Sequence, residues 1–183
     1  ATTEIYTLSL PDALPILCYG QDVSMEDINN CIHELRIQIS KGKIQKGYRA
    51  ILEYMLSLQS FLSKEHKDYC FPGSFYHGYM DMSYFAFVPS SFEGKGLKIA
   101  IVFNYEAFRF EIWLSGYNKD IQKKYWEYFR AKETNGYYIP ETIKGYDSVV
   151  EDHIEMKVFD DEKTTVELVK RIETFVKTIE SSL

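Results

Sequence analysis

Apolar residues recur at helical spacing through the first third of the chain. Ile28, Cys31, Ile32, Leu35 and Ile39 form one stripe, and Ser24-Met25-Glu26-Asp27 ahead of it has the spacing of a capping box. Gly42 reads as the stop. A second stripe of Tyr48, Ile51, Leu52, Met55, Leu58 and Leu62 predicts a helix over about 44–63. The short Lys-Gly-Lys turn between the two predicts an antiparallel helix pair.

The period then changes. Residues 75–80 and 83–88 are aromatic-rich and flank Asp81; both read as extended chain, one bent strand or two. Residues 97–103 are almost wholly apolar, which predicts a central strand buried on both faces. After a turn at 104–107, Phe108, Phe110, Ile112 and Leu114 alternate with Arg109, Glu111 and Trp113. That alternation predicts the second arm of a hairpin, with the four apolar residues facing the core.

A third helix is expected from Asn118 to about Ala131, with Ile121, Tyr125, Tyr128 and Phe129 on one face. Shorter strands are expected at 136–139 and 148–158, separated by a loop at Gly145. Asp160 and Asp161 would open a last helix at its positive dipole end, with Leu168, Ile172, Phe175, Val176, Ile179 and Leu183 as the buried stripe. The sum is an α+β fold: an antiparallel sheet of four to five strands, packed mainly on one face by the first, second and last helices.

Composition narrows the class. Of 183 residues, 45% are hydrophobic, with 12 Phe and 15 Tyr, enough to exclude disorder over most of the chain. The longest aliphatic run, 99–103, is far short of the roughly 20 residues a spanning helix needs, so no membrane span is expected. A net charge of −6 gives no general attraction to nucleic acid or anionic membranes. Locally, 36–67 is basic: Arg36, Lys41, Lys43, Lys46, Arg49, Lys64 and Lys67 face only Glu53 and Glu65. That stretch reads either as a phosphate-contacting patch or as a solvated helix face and a Lys-rich turn. Cys18, Cys31 and Cys70 show no Cys-x-x-Cys spacing, which fits a reducing, cytoplasmic setting.

Residues 1–24 contain no base, two prolines and no sustained period. The string from Ile5 to Ile16 resembles translated sequencing-adapter DNA. The segment is therefore expected to be a disordered or artefactual extension, with Met25 at the natural start and 25–183 forming one domain.

Several chemistries fail on residue type. Gly42 to Tyr48 has P-loop-like glycine spacing, but Tyr48 stands where the lysine is needed. Neither Gly-x-Gly-x-x-Gly nor Gly-x-Ser-x-Gly occurs. His66, Cys70 and His77 are the one close His/Cys set, but it crosses a Pro-Gly turn that gives no reason for convergence. The plainer reading is a surface His66, a buried Cys70 and a strand-edge His77. No metal site and no cofactor is expected.

Metal-dependent nucleases pair an Asp on one strand with Glu-x-Lys on the next. Here Asp81 and Glu111 are the candidates, but Trp113 occupies the lysine position and Glu93-Gly94-Lys95 lies in a loop. Otherwise, Arg109 and Glu111 read as a solvent-facing strand surface and Asp81 as a turn or bulge. Phe75, Tyr76, Tyr79, Tyr84, Phe85 and Phe87 cluster around Asp81. Such rings suit a ligand pocket or stacked bases, or a core whose hydroxyls reach the rim.

The segments Tyr48-Arg49-Ala50, Gly78-Tyr79-Met80-Asp81-Met82-Ser83-Tyr84-Phe85, Leu97 to Phe103, Phe108 to Leu114 and Lys124-Tyr125-Trp126 together resemble an uncharacterised bacterial domain family over about 25–183. The resemblance implies an intact fold and a bacterial source, and carries over no established activity. The element order is also similar to a C-terminal domain found near some restriction-type endonucleases, at the level of fold alone. The expectation is non-catalytic binding of an unknown ligand or protein partner through Tyr79, Asp81, Tyr84, Arg109, Glu111 and Trp113. The alternatives are a nuclease-related metal enzyme, with Asp81, Glu111 and Lys98 sharing one cavity, and a nucleic-acid-binding accessory domain using 36–67.

Overall fold

The Ser24 hydroxyl accepts a hydrogen bond from the Asp27 amide at 3.1 Å and caps α1 (Met25–Ser40), as the box spacing requires. A chain cut after residue 24 would therefore lose the cap of its first helix. The structure is a computed structural model that describes residues 24–132, 136–155 and 161–183. The expected extension up to Val23, the expected strand end at 156–158 and Asp160 lie outside the described residues.

The chain divides into two compact units, 1–47 and 48–183. In the first unit, α1 buries no residue: Ile32, Leu35 and Ile39 of its predicted stripe are exposed. The first helix thus supplies none of the core assigned to it. Gly42 ends the turn after α1 with φ at 70°, a conformation that costs glycine little.

The second unit holds the sheet. Five strands lie in sequence order and every neighbouring pair is antiparallel: β1 (Tyr69–Cys70), β2 (Met82–Pro89), β3 (Leu97–Asn104), β4 (Arg109–Gly116) and β5 (Val150–Glu155). The helices are α2 (Lys43–Glu65, which begins in the first unit), α3 (Lys119–Arg130) and α4 (Asp161–Ser182). One core joins Ile51, Met55, Leu58 and Leu62 of α2, Phe85 and Phe87 of β2, Ile99, Ile101 and Phe103 of β3, and Phe110, Ile112 and Leu114 of β4. Leu168, Ile172, Phe175, Val176 and Ile179 of α4 complete it, as their spacing predicts, and α3 adds Phe129. Tyr54 joins from α2 although it lies off the predicted stripe.

β3 is central and buried on both faces. Ile101 sits between Phe85 and Ile112 on the core side, while Ala100 and Val102 are buried on the other. The predicted hairpin with β4 is present, with Ile101 opposite Ile112. Phe108 departs from the alternation: it ends the turn at φ 53° and is 55% exposed, so the backbone turns its ring out of the core side.

Two strand expectations give way. Residues 75–80 are not a strand; they touch the sheet through one isolated bridge, Tyr76 to Tyr84. Gly78 and Met80, both near φ 70°, break the extended run. Likewise 136–139 contributes one bridge, Tyr138 to Glu151. The Gly78 turn is tied down: the Tyr48 hydroxyl donates to His77 O at 2.8 Å, and the Ser83 hydroxyl donates to the same carbonyl. A Cβ on Gly78 would lie 1.8 Å from Met82 O. Gly78→Ala is therefore expected to lower unfolding free energy by about 2–4 kcal/mol, from strain at positive φ plus backbone overlap. Chemical denaturation checks this; a loss under about 1 kcal/mol would mean that the turn refolds around the methyl group.

Candidate functional site: the open sheet face

Side chains alternate across a sheet, so every residue opposite the core face belongs to one surface. Cross-strand register sorts that surface into rows. Ala86, Ala100 and Trp113 align and meet Glu151 of β5. Tyr84, Val102 and Glu111 align and meet His153. Met82, Asn104 and Arg109 align and meet Glu155, while Lys98 faces Ser115. The small side chain of Ala100, cross-strand neighbour of Trp113, leaves the surface concave there.

Two cavities of about 500 and 530 Å³ open on this face. Met82, Trp113 and Asp147 border both. The first continues past Tyr84, Lys98 and Ala100 to Lys119 and Gln122 at the start of α3; the second runs past Arg109 and Glu111 to Tyr138, Glu151 and His153. The 136–149 segment supplies the wall. Its Tyr146 carbonyl accepts from Gln122 Nε2 at 2.8 Å and from Lys119 Nζ at 3.1 Å, and Lys119 also pairs with Asp147 at 2.8 Å.

The floor of the second cavity is charged and buried. Glu111, read from the alternation as solvent-facing, is 2% exposed. Its Oε1 accepts from Arg109 Nε at 2.8 Å and from Asn104 Nδ2 at 3.3 Å; its Oε2 accepts from Trp113 Nε1 at 2.9 Å. A buried carboxylate needs such partners, and three donors meet the need. Desolvation works against the Arg109 charge, but the hydrogen bond and charge of Glu111 outweigh it, so the guanidinium holds its proton more firmly than a free one. The Trp113 indole is fixed in orientation by the same bond.

Glu151, 5% exposed, accepts from Ser148 Oγ at 2.5 Å, and its Oε2 lies 2.6 Å from His153 Nε2. At the rim, a hydrogen bond with Tyr146 together with desolvation raises the pKa of the Tyr138 hydroxyl.

The sequence-named residues divide. Tyr84, Arg109, Glu111 and Trp113 share the open face. Asp81 and Tyr79 belong to the exposed turn before β2: Tyr79 is 91% exposed, and Asp81 Oδ1 accepts from the Tyr79 amide at 2.9 Å. Backbone hydrogen bonds from Met82 and Tyr79 hold the Asp81 carboxyl below its ordinary value. Neither residue lines the two cavities. Lys98 lies on the open face, in the first cavity, while Glu111 lines the second. Among the described residues, the His, Cys, Asp and Glu atoms gathered closely enough for one ion are those of Glu111, Glu151 and His153, a set without Asp81 and without His66, Cys70 or His77. Cys70 is exposed rather than buried, and His66 stacks on Tyr69 at 4.4 Å. The seven bases of 36–67 are all exposed.

Glu151 and His153 were not singled out in the sequence. The signal was a second charged pair at a spacing of two, echoing Arg109 and Glu111, but its partner strand lies 36 to 46 residues away in the register.

A family profile matches residues 28–183 and is described as a domain of unknown function, DUF7000. The chain belongs to the DUF7000 family. Searches of curated proteins and of solved structures returned no match. Membership in DUF7000 spans all five strands and the helices that cover them, so the open face is part of the family domain. No helix among the described residues is long and apolar enough to cross a membrane.

Proposed function

We propose that this DUF7000 domain is a non-catalytic binding module whose ligand lies in the groove on the open sheet face. The observation that carries the reading is Trp113. Its indole borders both cavities, is locked by the bond to Glu111, and has the small Ala100 as its cross-strand neighbour. A fixed, half-buried indole is a stacking platform whose orientation costs nothing at binding.

The two ends of the groove differ in charge. Lys98, with no ion-pair partner among the described residues, and Lys119 stand at one end. The carboxylates of Glu111 and Glu151 stand at the other. Such a groove suits a small molecule with a flat ring, an anionic group towards Lys98 and hydrogen-bond donors towards the carboxylates. Nucleoside monophosphates have all three features.

Calorimetric titration with the four common nucleoside monophosphates, their nucleosides and inorganic phosphate tests the reading. Saturable binding of a monophosphate is expected, weaker by about tenfold for its nucleoside, since one charge-assisted bond contributes about 1.5 kcal/mol. Lys98→Ala should cost a similar factor and Trp113→Ala should abolish the binding. Binding unaffected by Trp113→Ala, or none by any of these probes, overturns this assignment of the groove.

A further inference from the structure

We propose that Glu111, Glu151 and His153 form a site for a divalent transition-metal ion of the Zn²⁺ or Mn²⁺ class. The site lies on the floor of the groove but does not depend on the groove's organic ligand. Glu111 and His153 are direct cross-strand partners, and Glu151 is the next open-face residue on β5. Each offers one ligand atom, and these atoms lie within 4.8 Å of one another. An ion with bonds of about 2.0–2.2 Å draws its ligands closer than that. The present spacing is that of a set which closes on an ion through small side-chain rotations.

Charge makes the stronger argument. The floor buries two carboxylates, yet among the described residues Arg109 is the one permanent cation lining it, and Arg109 is bonded to Glu111 and Glu155. Glu151 is left with a neutral hydroxyl and an imidazole. A buried carboxylate without a cation is costly, so a positive charge beside Glu151 is favoured. A metal ion held between His153 Nε2 and Glu151 Oε2, which lie 2.6 Å apart, would supply it.

The surroundings favour the ion. Both oxygens of Glu111 and Oε1 of Glu151 are already held, by Arg109 Nε and Asn104 Nδ2, by Trp113 Nε1 and by Ser148 Oγ, hydrogen bonds of the kind that orient metal ligands. The cavity of about 530 Å³ above them has room for water to complete the coordination. One imidazole among the oxygens selects Zn²⁺ or Mn²⁺ over Mg²⁺ and Ca²⁺, which prefer oxygen alone.

The test uses the full chain, stripped with chelator and free of organic ligand. Zn²⁺ and Mn²⁺ are titrated by calorimetry and by thermal denaturation, with Mg²⁺ in parallel. One equivalent of Zn²⁺ or Mn²⁺ is expected to bind and raise Tm, with Mg²⁺ weaker. His153→Ala and Glu151→Gln should each weaken binding at least about tenfold. His153 is half-buried at the groove wall, so its variant folds even if a variant of buried Glu111 does not. Lys98→Ala should leave metal affinity unchanged, which separates this site from the nucleotide reading; Cys70→Ser and His66→Ala should also leave it unchanged. No saturable binding, or binding that survives His153→Ala, overturns the site and leaves a purely structural hydrogen bond between His153 and Glu151.

Discussion

Replacing Ile101 by alanine is expected to lower the unfolding free energy by about 2–5 kcal/mol. The residue is fully buried at the middle of the middle strand, with Phe85 on one side and Ile112 on the other. β2 and β4 are hydrogen-bonded to β3 along most of its length, so the backbone cannot collapse into the gap. The transfer cost of the lost carbons and the cost of the cavity therefore add. Val166→Ala on α4, at a position 66% exposed, should change stability by less than about 0.5 kcal/mol. Urea denaturation of both variants gives the comparison. An Ile101→Ala loss below about 1 kcal/mol would place β3 away from the centre of the sheet.

That strand was legible because five apolar residues in succession, 99–103, leave neither face of a strand for solvent. The β4 hairpin was legible because period-two alternation and a short turn leave one register. Phe108 failed for a local reason: alternation assumes extended backbone, and the residue that closes a turn need not be extended. The 75–80 segment failed similarly, since ring content resembles a strand while Gly78 and Met80 interrupt it. In each case a positive φ overrode side-chain preference.

The candidate site was half legible. Arg109, Glu111 and Trp113 share a face by spacing alone, and their three hydrogen-bonded side chains follow from it. That Glu111 is buried did not follow, because alternation separates two faces without saying which is covered. Burial there depends on the 136–149 segment and on β5, and nothing local in the sequence reports either. Asp81 drew attention because it stands among tyrosines, but its carboxylate is engaged with the turn's own amide. Proximity in sequence to an aromatic cluster was a weaker guide than membership of one strand face.

The opposite face of β5 carries the second large effect. Asp152 points away from Glu151 and His153, into the layer beneath, and is buried between Val150 and Ile154. Arg171 of α4 grips it with two nitrogens, Nε at 2.8 Å from Oδ2 and Nη2 on Oδ1, while Nη2 also reaches His153 O at 3.3 Å. Removing one member of a buried pair strands the other charge. Arg171→Met should therefore cost about 2–3 kcal/mol, below the full value for a buried pair because the arginine is half-exposed and water can reach the gap. The double variant Asp152→Leu, Arg171→Met should recover most of that loss, since neither charge then remains. Denaturation of the single and double variants completes the cycle. Losses that simply add would show that the pair does not couple α4 to β5. If they do not add, this pair anchors the strand from below, and the positions of Glu151 and His153 in the groove depend on a contact made on the other side of the sheet.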